Sequence, residues 1–214
     1  MTGLKILCLS DIEIPAIYSP NIRDRFRDFD LVISCGDLPF NYLEYVISML
    51  DIPLYYVQGN HVTSIDFGNG NIREKPWGGI NLNRRVIYDR SHDLILAGFE
   101  GSLRYNEGDH QYTEAQMWRM VLAMVPQLLW NKIRHGRYLD IFVTHSPSAG
   151  IQDQADLPHR GVQAFKWLVS TFKPALHLHG HIHLYDPRLP RETQFGPTTV
   201  VNAYGYHEIH FPAG

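Results

Sequence analysis

Five largely apolar runs, each halted by a residue able to ligate a metal, do most to limit what this chain can become. Leu4-Lys5-Ile6-Leu7-Cys8-Leu9-Ser10 runs into Asp11 and Glu13. Leu31-Val32-Ile33-Ser34-Cys35 ends at Gly36-Asp37, and Pro53-Leu54-Tyr55-Tyr56-Val57 ends at Gly59-Asn60-His61. Leu139-Asp140-Ile141-Phe142-Val143-Thr144 stops at His145, and Ala175-Leu176-His177-Leu178 leads into Gly180-His181-Ile182-His183. Short apolar runs of this kind read as strands covered on both faces. Helical stretches separate the first three, which predicts right-handed crossovers and an α/β fold with a parallel sheet.

The helices carry their own signals. One is expected near Ser19-Pro20, a cap followed by proline at the first helical position. Another is expected from Asn41, with Glu44 three residues later as in a capping box. The longest signal covers 113–135, with Thr113 and Gln116 forming a capping box and Gly136 a stop. Met117, Met120, Val121, Met124 and Leu128 recur there at helical spacing and read as a core stripe. Pro126 is expected to kink or divide this helix. A further helix is expected over 161–172. Strands are expected over 85–88 and 93–98, and over 198–203 and 206–211 at the end of the chain. The Gly-rich stretch 63–83 lacks a Walker lysine pattern and reads as a functional rim.

The chain has 214 residues, which suits a single domain over 1–214 with a sizeable core. Its net charge of −3 gives no broad electropositive face, so generic nucleic-acid binding is not expected. No signal-peptide pattern and no run of transmembrane length is present, so a cytoplasmic protein without a membrane partner is expected. The two cysteines, Cys8 and Cys35, fall inside apolar runs and read as buried, reduced core thiols.

In open α/β sheets, ligands bind beyond the carboxyl ends of the strands. Asp11, Glu13, Asp37, Asn60, His61, His145, His181 and His183 all fall there. A lone Asp at such a position is usually a turn residue, and a lone His a satisfied polar group. Five strands in succession doing this points to a shared metal site. Carboxylate and imidazole without cysteine suit Mn, Fe or Zn better than a calcium cage or a structural zinc. The donors exceed what one tetrahedral ion takes. Two ions sharing a bridging carboxylate would use them, and such a pair activates water and neutralises both sides of an in-line displacement at phosphorus.

In order and spacing, Asp11-x-Glu13, Gly36-Asp37, Gly59-Asn60-His61, His145 and Gly180-His181-Ile182-His183 resemble the signature of the calcineurin-like metallophosphoesterase superfamily. The motifs span residues 11 to 183, most of the chain. The resemblance implies a four-layer αββα sandwich with two mixed β-sheets and a binuclear centre holding two divalent transition-metal ions, with Mn favoured over Fe or Zn. It implies that Asp37 bridges the two ions, that Asp11 and His183 bind the first, and that Asn60, His145 and His181 bind the second. It places His61 beside the phosphate, stabilising charge or protonating the leaving oxygen. This chain has two departures from the pattern. The first motif usually carries His where Glu13 stands, and an acid usually follows Gly-Asn-His where Val62 stands. A carboxylate at 13 can still ligate, and without an acid at 62 any partner for His61 must come from elsewhere.

The expected activity is hydrolysis of a phosphomonoester or phosphodiester by metal-activated water. The alternative is a catalytically weakened protein of the same fold that serves as a binding scaffold, an idea supported by Glu13 and Val62. A metal-dependent nuclease fits less well, because no basic patch is present. His159 and Arg160 precede a helix start, where backbone N–H groups favour anions, and are candidate substrate contacts. His177 and His179 share the parity of the last histidines, and His179 reads as structural or as a support behind the ligands. Arg104-Tyr105-Asn106 and Asp109-His110-Gln111-Tyr112 read as surface. Specificity is expected in the loops 63–83, 100–112 and 146–160.

Overall fold

In the computed structural model, which describes residues 3–61, 65–66, 72–186 and 188–212, the alternation of side chains along the first strand sets out the layers. On Leu4–Ser10, Ile6 and Cys8 point one way, into a core shared with Leu31, Ile33, Tyr55, Leu96, Ile141, Val143, Leu178 and Val201. Leu7 and Leu9 point the other way, into a core with Phe26, Tyr42, Leu43 and Val46. A strand that is apolar on both faces must be covered on both. The second sheet repeats this arrangement. Leu96 and Val143 join the central core, while Ala97 and Phe142 pack with Met117, Val121, Leu128, Phe165 and Leu168 of two helices. The result is helix, sheet, sheet, helix.

The first sheet has the order Gly205–Phe211, Leu4–Ser10, Leu31–Ser34, Leu54–Tyr56, Ile80–Asn81. All its pairs are parallel except the one that sets the last strand of the chain antiparallel to the first. The second has the order Glu192–Phe195, Thr198–Asn202, Leu176–His179, Ile141–Thr144, Leu94–Phe99, Arg85–Asp89, parallel in its centre and antiparallel at both margins. The first three strands pair in parallel as their crossovers predict, and the whole is the four-layer sandwich with two mixed sheets that the family resemblance implies. Three of the five motif-bearing strands belong to one and two to the other.

Four helices cover the faces among the described residues: Ile22–Phe26, Phe40–Leu50, Glu114–His135 and Gln163–Phe172. Two helix starts differ from expectation. The first helix begins at Ile22, and Pro20 lies ahead of it. Ser19 serves the start from outside, its hydroxyl accepting the Asn21 N–H and its carbonyl the Ile22 N–H. The second begins at Phe40 without a side-chain cap. Glu44 instead accepts the Trp77 N–H at 2.8 Å and pairs with Arg73, so a distant guanidinium outcompetes the local turn for its carboxylate. The long helix has the expected capping box between Thr113 and Gln116 and a left-handed Gly136 at its end. Pro126 lies inside it without dividing it, and Met117, Met124 and Leu128 are buried as expected. Cys8 and Cys35 are buried free thiols, and burial pushes both above their ordinary value.

Candidate metal centre

The site begins where strands stop. Asp11 follows Leu4–Ser10 directly, and its φ of 68 turns the chain sharply over the strand end. Asp37 and His181 are also left-handed, at φ 55 and 66. Non-glycine residues seldom adopt this region, Asp more readily than most, and such strain gathers at functional sites. The turns fold the carboxylates onto backbone N–H groups of neighbouring motifs. Asp37 accepts the His61 N–H at 3.0 Å, and Asp11 accepts the His181 N–H at 3.0 and 3.2 Å. The second contact ties the first sheet to the second. Two glycines make room for this packing. A Cβ at Gly59 would overlap the Asp37 carboxylate, and one at Gly180 would overlap Ser10 and crowd Asp11.

Ligand atoms of Asp11, Asp37 and His145 lie within 4.8 Å of one another, and this is the compact cluster of acidic and imidazole donors among the described residues. His145 is its hub and is fully buried. Its Nδ1 is 2.8 Å from the Cys35 carbonyl oxygen. A carbonyl can only accept, so Nδ1 carries the hydrogen and Nε2 a lone pair. Around Nε2 stand Asn60 Oδ1 at 3.0 Å, His181 Nδ1 at 3.1 Å and Asp37 Oδ2 at 3.3 Å. His181 donates from Nε2 to the Pro158 carbonyl at 2.8 Å, so its Nδ1 also presents a lone pair. Asn60 donates from Nδ2 to the Tyr105 hydroxyl at 2.9 Å, which turns Oδ1 inward. With His145 neutral, four lone-pair atoms would face one another with no hydrogen among them. Such an arrangement calls for a cation.

The protonation equilibria express the same demand. Burial pulls the His145 imidazole down, but the charge and hydrogen bond of Asp37, with Asp11 behind, push it up to about 9. Asp37 answers in kind: burial would raise it, but His145 holds it at about 2. Burial and the neighbouring His145 charge drive His181 down to about 3. Burial raises the Asp11 carboxyl against the pull of His145. With no metal, a single proton shared between His145 and Asp37 supplies the positive charge, and it can satisfy only one acceptor at a time. A divalent ion would serve all four, so the donor set fits a metal.

The remaining sequence-derived residues are placed as follows. His183 is partly exposed, with Nε2 3.9 Å from Asp11 Oδ1 and Nδ1 2.5 Å from the Tyr185 hydroxyl. Glu13 is exposed on the turn after Asp11, outside the compact cluster. The His61 side chain is 76% exposed, its Nε2 4.0 Å from Asp37 Oδ2. Val62 lies outside the described residues. His159 rests against the His181 ring at 5.3 Å and is bonded to Asp156, and Arg160 is exposed. The helix that follows begins at Gln163, and its Ala164 N–H is met by Glu114 at 3.0 Å. His177 and His179 are fully buried on the strand Leu176–His179. His177 stacks on Phe142 and meets Thr144, and His179 meets Gln152. The strand ends at His179, so its alternation does not carry on to His181 and His183.

Sequence reasoning passed over Tyr105 as surface, although its hydroxyl fixes the Asn60 amide. It also passed over the carbonyls of Cys35 and Pro158, which fix two imidazoles and leave no trace in residue identity.

The family profile of calcineurin-like phosphoesterases matches residues 4–185. The chain belongs to the calcineurin-like phosphoesterase family. It is 23% identical over 215 residues to the UPF0046 protein K07C11.7 of Caenorhabditis elegans, a match covering 94% of this chain and 69% of that protein. Among solved structures, TT1561 of Thermus thermophilus superimposes with a TM-score of 0.57 at 15% identity, over 95% of this chain and 90% of that one. Another crystal structure superimposes with a TM-score of 0.66 at 14% identity, over 97% and 95% of the two chains. At these identities the structures establish the fold. The family match accords with the order of motifs that the sequence displays along the chain.

Proposed function

We propose that this chain is a metal-dependent phosphoesterase that hydrolyses a phosphomonoester or phosphodiester at a binuclear centre. The observation that carries the reading is the convergence of His145 Nε2, His181 Nδ1, Asn60 Oδ1 and Asp37 Oδ2, with each imidazole's other nitrogen on a backbone carbonyl. In this reading those four hold one ion. Asp37 and Asp11, with His183 3.9 Å from Asp11, would hold a second ion, which Glu13 would join by swinging inward. When bound, divalent ions such as Mn, Fe or Zn provide Lewis acidity for the phosphoryl oxygens and lower the pKa of the attacking water.

The chain's own groups do the rest. Backbone N–H groups of His61 and His181 hold the two aspartates in register. The Cys35 and Pro158 carbonyls orient the two rings and leave His145 Nε2 and His181 Nδ1 as the nitrogens that face the centre. His61 stands exposed beside Asp37, where it can stabilise the phosphoryl charge or protonate the leaving oxygen. His159 lies against His181, and it and the exposed Arg160 that follows it are assigned to substrate contact.

The test combines metal analysis with turnover. Protein supplied with Mn is expected to hold close to two ions per chain and to hydrolyse bis-p-nitrophenyl phosphate or its monoester, with loss of turnover in EDTA. Asp37→Asn is expected to lower occupancy at both positions. Full occupancy in that variant would remove the bridging role. Background turnover across Mn, Fe, Zn, Co and Ni would favour the scaffold alternative.

A further inference from the structure

We infer that the aromatic patch beside His183 is a platform on which the phosphoester substrate lays a planar aromatic group. The inference rests on the phosphoester reading and deepens it by naming a substrate class.

Tyr185 is 79% exposed, two residues beyond His183. Exposed aromatic side chains are ordinary on protein surfaces and by themselves imply nothing. This one is tethered. Its hydroxyl lies 2.5 Å from His183 Nδ1, and its ring stands edge-on to His183 at 5.2 Å and 80°. It also stands at 71° to Tyr204, with ring centroids 6.0 Å apart. Tyr204 in turn lies against His183 at 4.8 Å. Ile12 is 39% exposed and borders the same patch, its Cδ1 3.7 Å from where a Cβ on Gly205 would sit. Two tyrosine rings from separate segments therefore gather around one imidazole.

His183 connects the two halves of the opening. Its Nε2 faces Asp11 and the converging donors, and its Nδ1 faces Tyr185. Tyr185 thus stands one imidazole away from the donors, where the ester substituent of a phosphoryl group seated there could reach it. Because the ring is already held at its hydroxyl, stacking onto it costs little further side-chain entropy. The geometry favours a flat π-system over an alkyl chain, because a planar face matches a planar face.

The test uses the full chain loaded with Mn and two non-hydrolysable probes, phenylphosphonate and methylphosphonate, with binding measured by calorimetry. Phenylphosphonate is expected to bind about tenfold more tightly, in the range seen when one aromatic stack is removed. Tyr185→Phe keeps the ring but loses the tether to His183, and should keep the preference at reduced size. Tyr185→Ala should abolish it, and the ratio of the two affinities cancels any effect common to both probes. Equal affinity in the wild type, or a preference that survives Tyr185→Ala, would overturn the platform while leaving the phosphoester reading intact. If neither probe binds to protein shown to contain metal, the phosphoester reading fails and the platform with it.

Discussion

His145 Nε2 lies 3.1 Å from His181 Nδ1, and each ring gives its other N–H to a backbone carbonyl, so both nitrogens present lone pairs whenever His145 is neutral. Two imidazole lone pairs held this close repel unless a cation sits between them or one ring is protonated. That relationship, with the groups around it, governs how the protein responds to pH, to metal and to substitution.

Metal-free protein is expected to lose stability as pH rises. The folded value of His145 is raised from 6.5 to about 9, so its contribution is fully present below 6.5 and is lost as pH climbs through about 9. The loss should be on the order of 2 kcal/mol, a conservative figure because Asp37 and His145 share a single interaction. Calorimetric scans in EDTA between pH 6 and 10 would show it. His145→Gln should abolish the slope, and Mn-loaded protein should lack it, since the ion takes the proton's place. An unchanged slope in His145→Gln would remove His145 as its origin.

Tyr105→Phe is expected to weaken metal binding about 10- to 100-fold without unfolding the protein, as loss of an orienting partner does elsewhere. The Asn60 Nδ2 donor, now 2.9 Å from the Tyr105 hydroxyl, would lose its acceptor, and the amide could rotate its oxygen away from His145. Titration with Mn, read against a thermal melt of the metal-free variant, separates the two effects. Wild-type affinity in the variant would show that the amide is held by the cluster itself.

Glu13 tests the unusual first motif. Its side chain is exposed on the turn after Asp11 and would have to swing inward to ligate. Glu13→Ala is expected to weaken one of the two ions, and Glu13→His to preserve binding with a shift toward Zn. Metal content and turnover unaltered by Glu13→Ala would strike this residue from the ligand set.

His61→Gln is expected to leave metal content unchanged. Turnover should fall by roughly 10²-fold, at the low end for a lost acid–base group, on alkyl phosphoesters and by less on p-nitrophenyl esters. Alkoxides need a proton to leave and p-nitrophenolate does not. The 76% exposure of the side chain and its position beside Asp37, with no acid after it in sequence, underlie the modest figure. An equal loss on both substrate types would assign His61 to charge stabilisation, and loss of metal would make it a ligand.

The sequence by itself determined the five motif-bearing strands and the donors that end them, but not the edge strands Ile80–Asn81 and Glu192–Phe195. A run such as Leu31-Val32-Ile33 can bury both of its faces only inside a layered fold, and Asp37 after Gly36 must stand at its carboxyl end. It also determined the capping box at Thr113, because that signal is complete within four residues. Competition between distant groups was decided only in three dimensions. Glu44 left its expected cap for Arg73 and Trp77, 29 and 33 residues away. The five motif strands were divided between two sheets, because hydrogen-bonded neighbours are chosen by packing rather than by order. The ring orientations in the candidate metal centre rest on the carbonyls of Cys35, 110 residues from His145, and Pro158, 23 from His181. A backbone carbonyl is the same atom in every residue, so no sequence pattern announces it. Only the folded chain brings it within hydrogen-bonding distance of an imidazole.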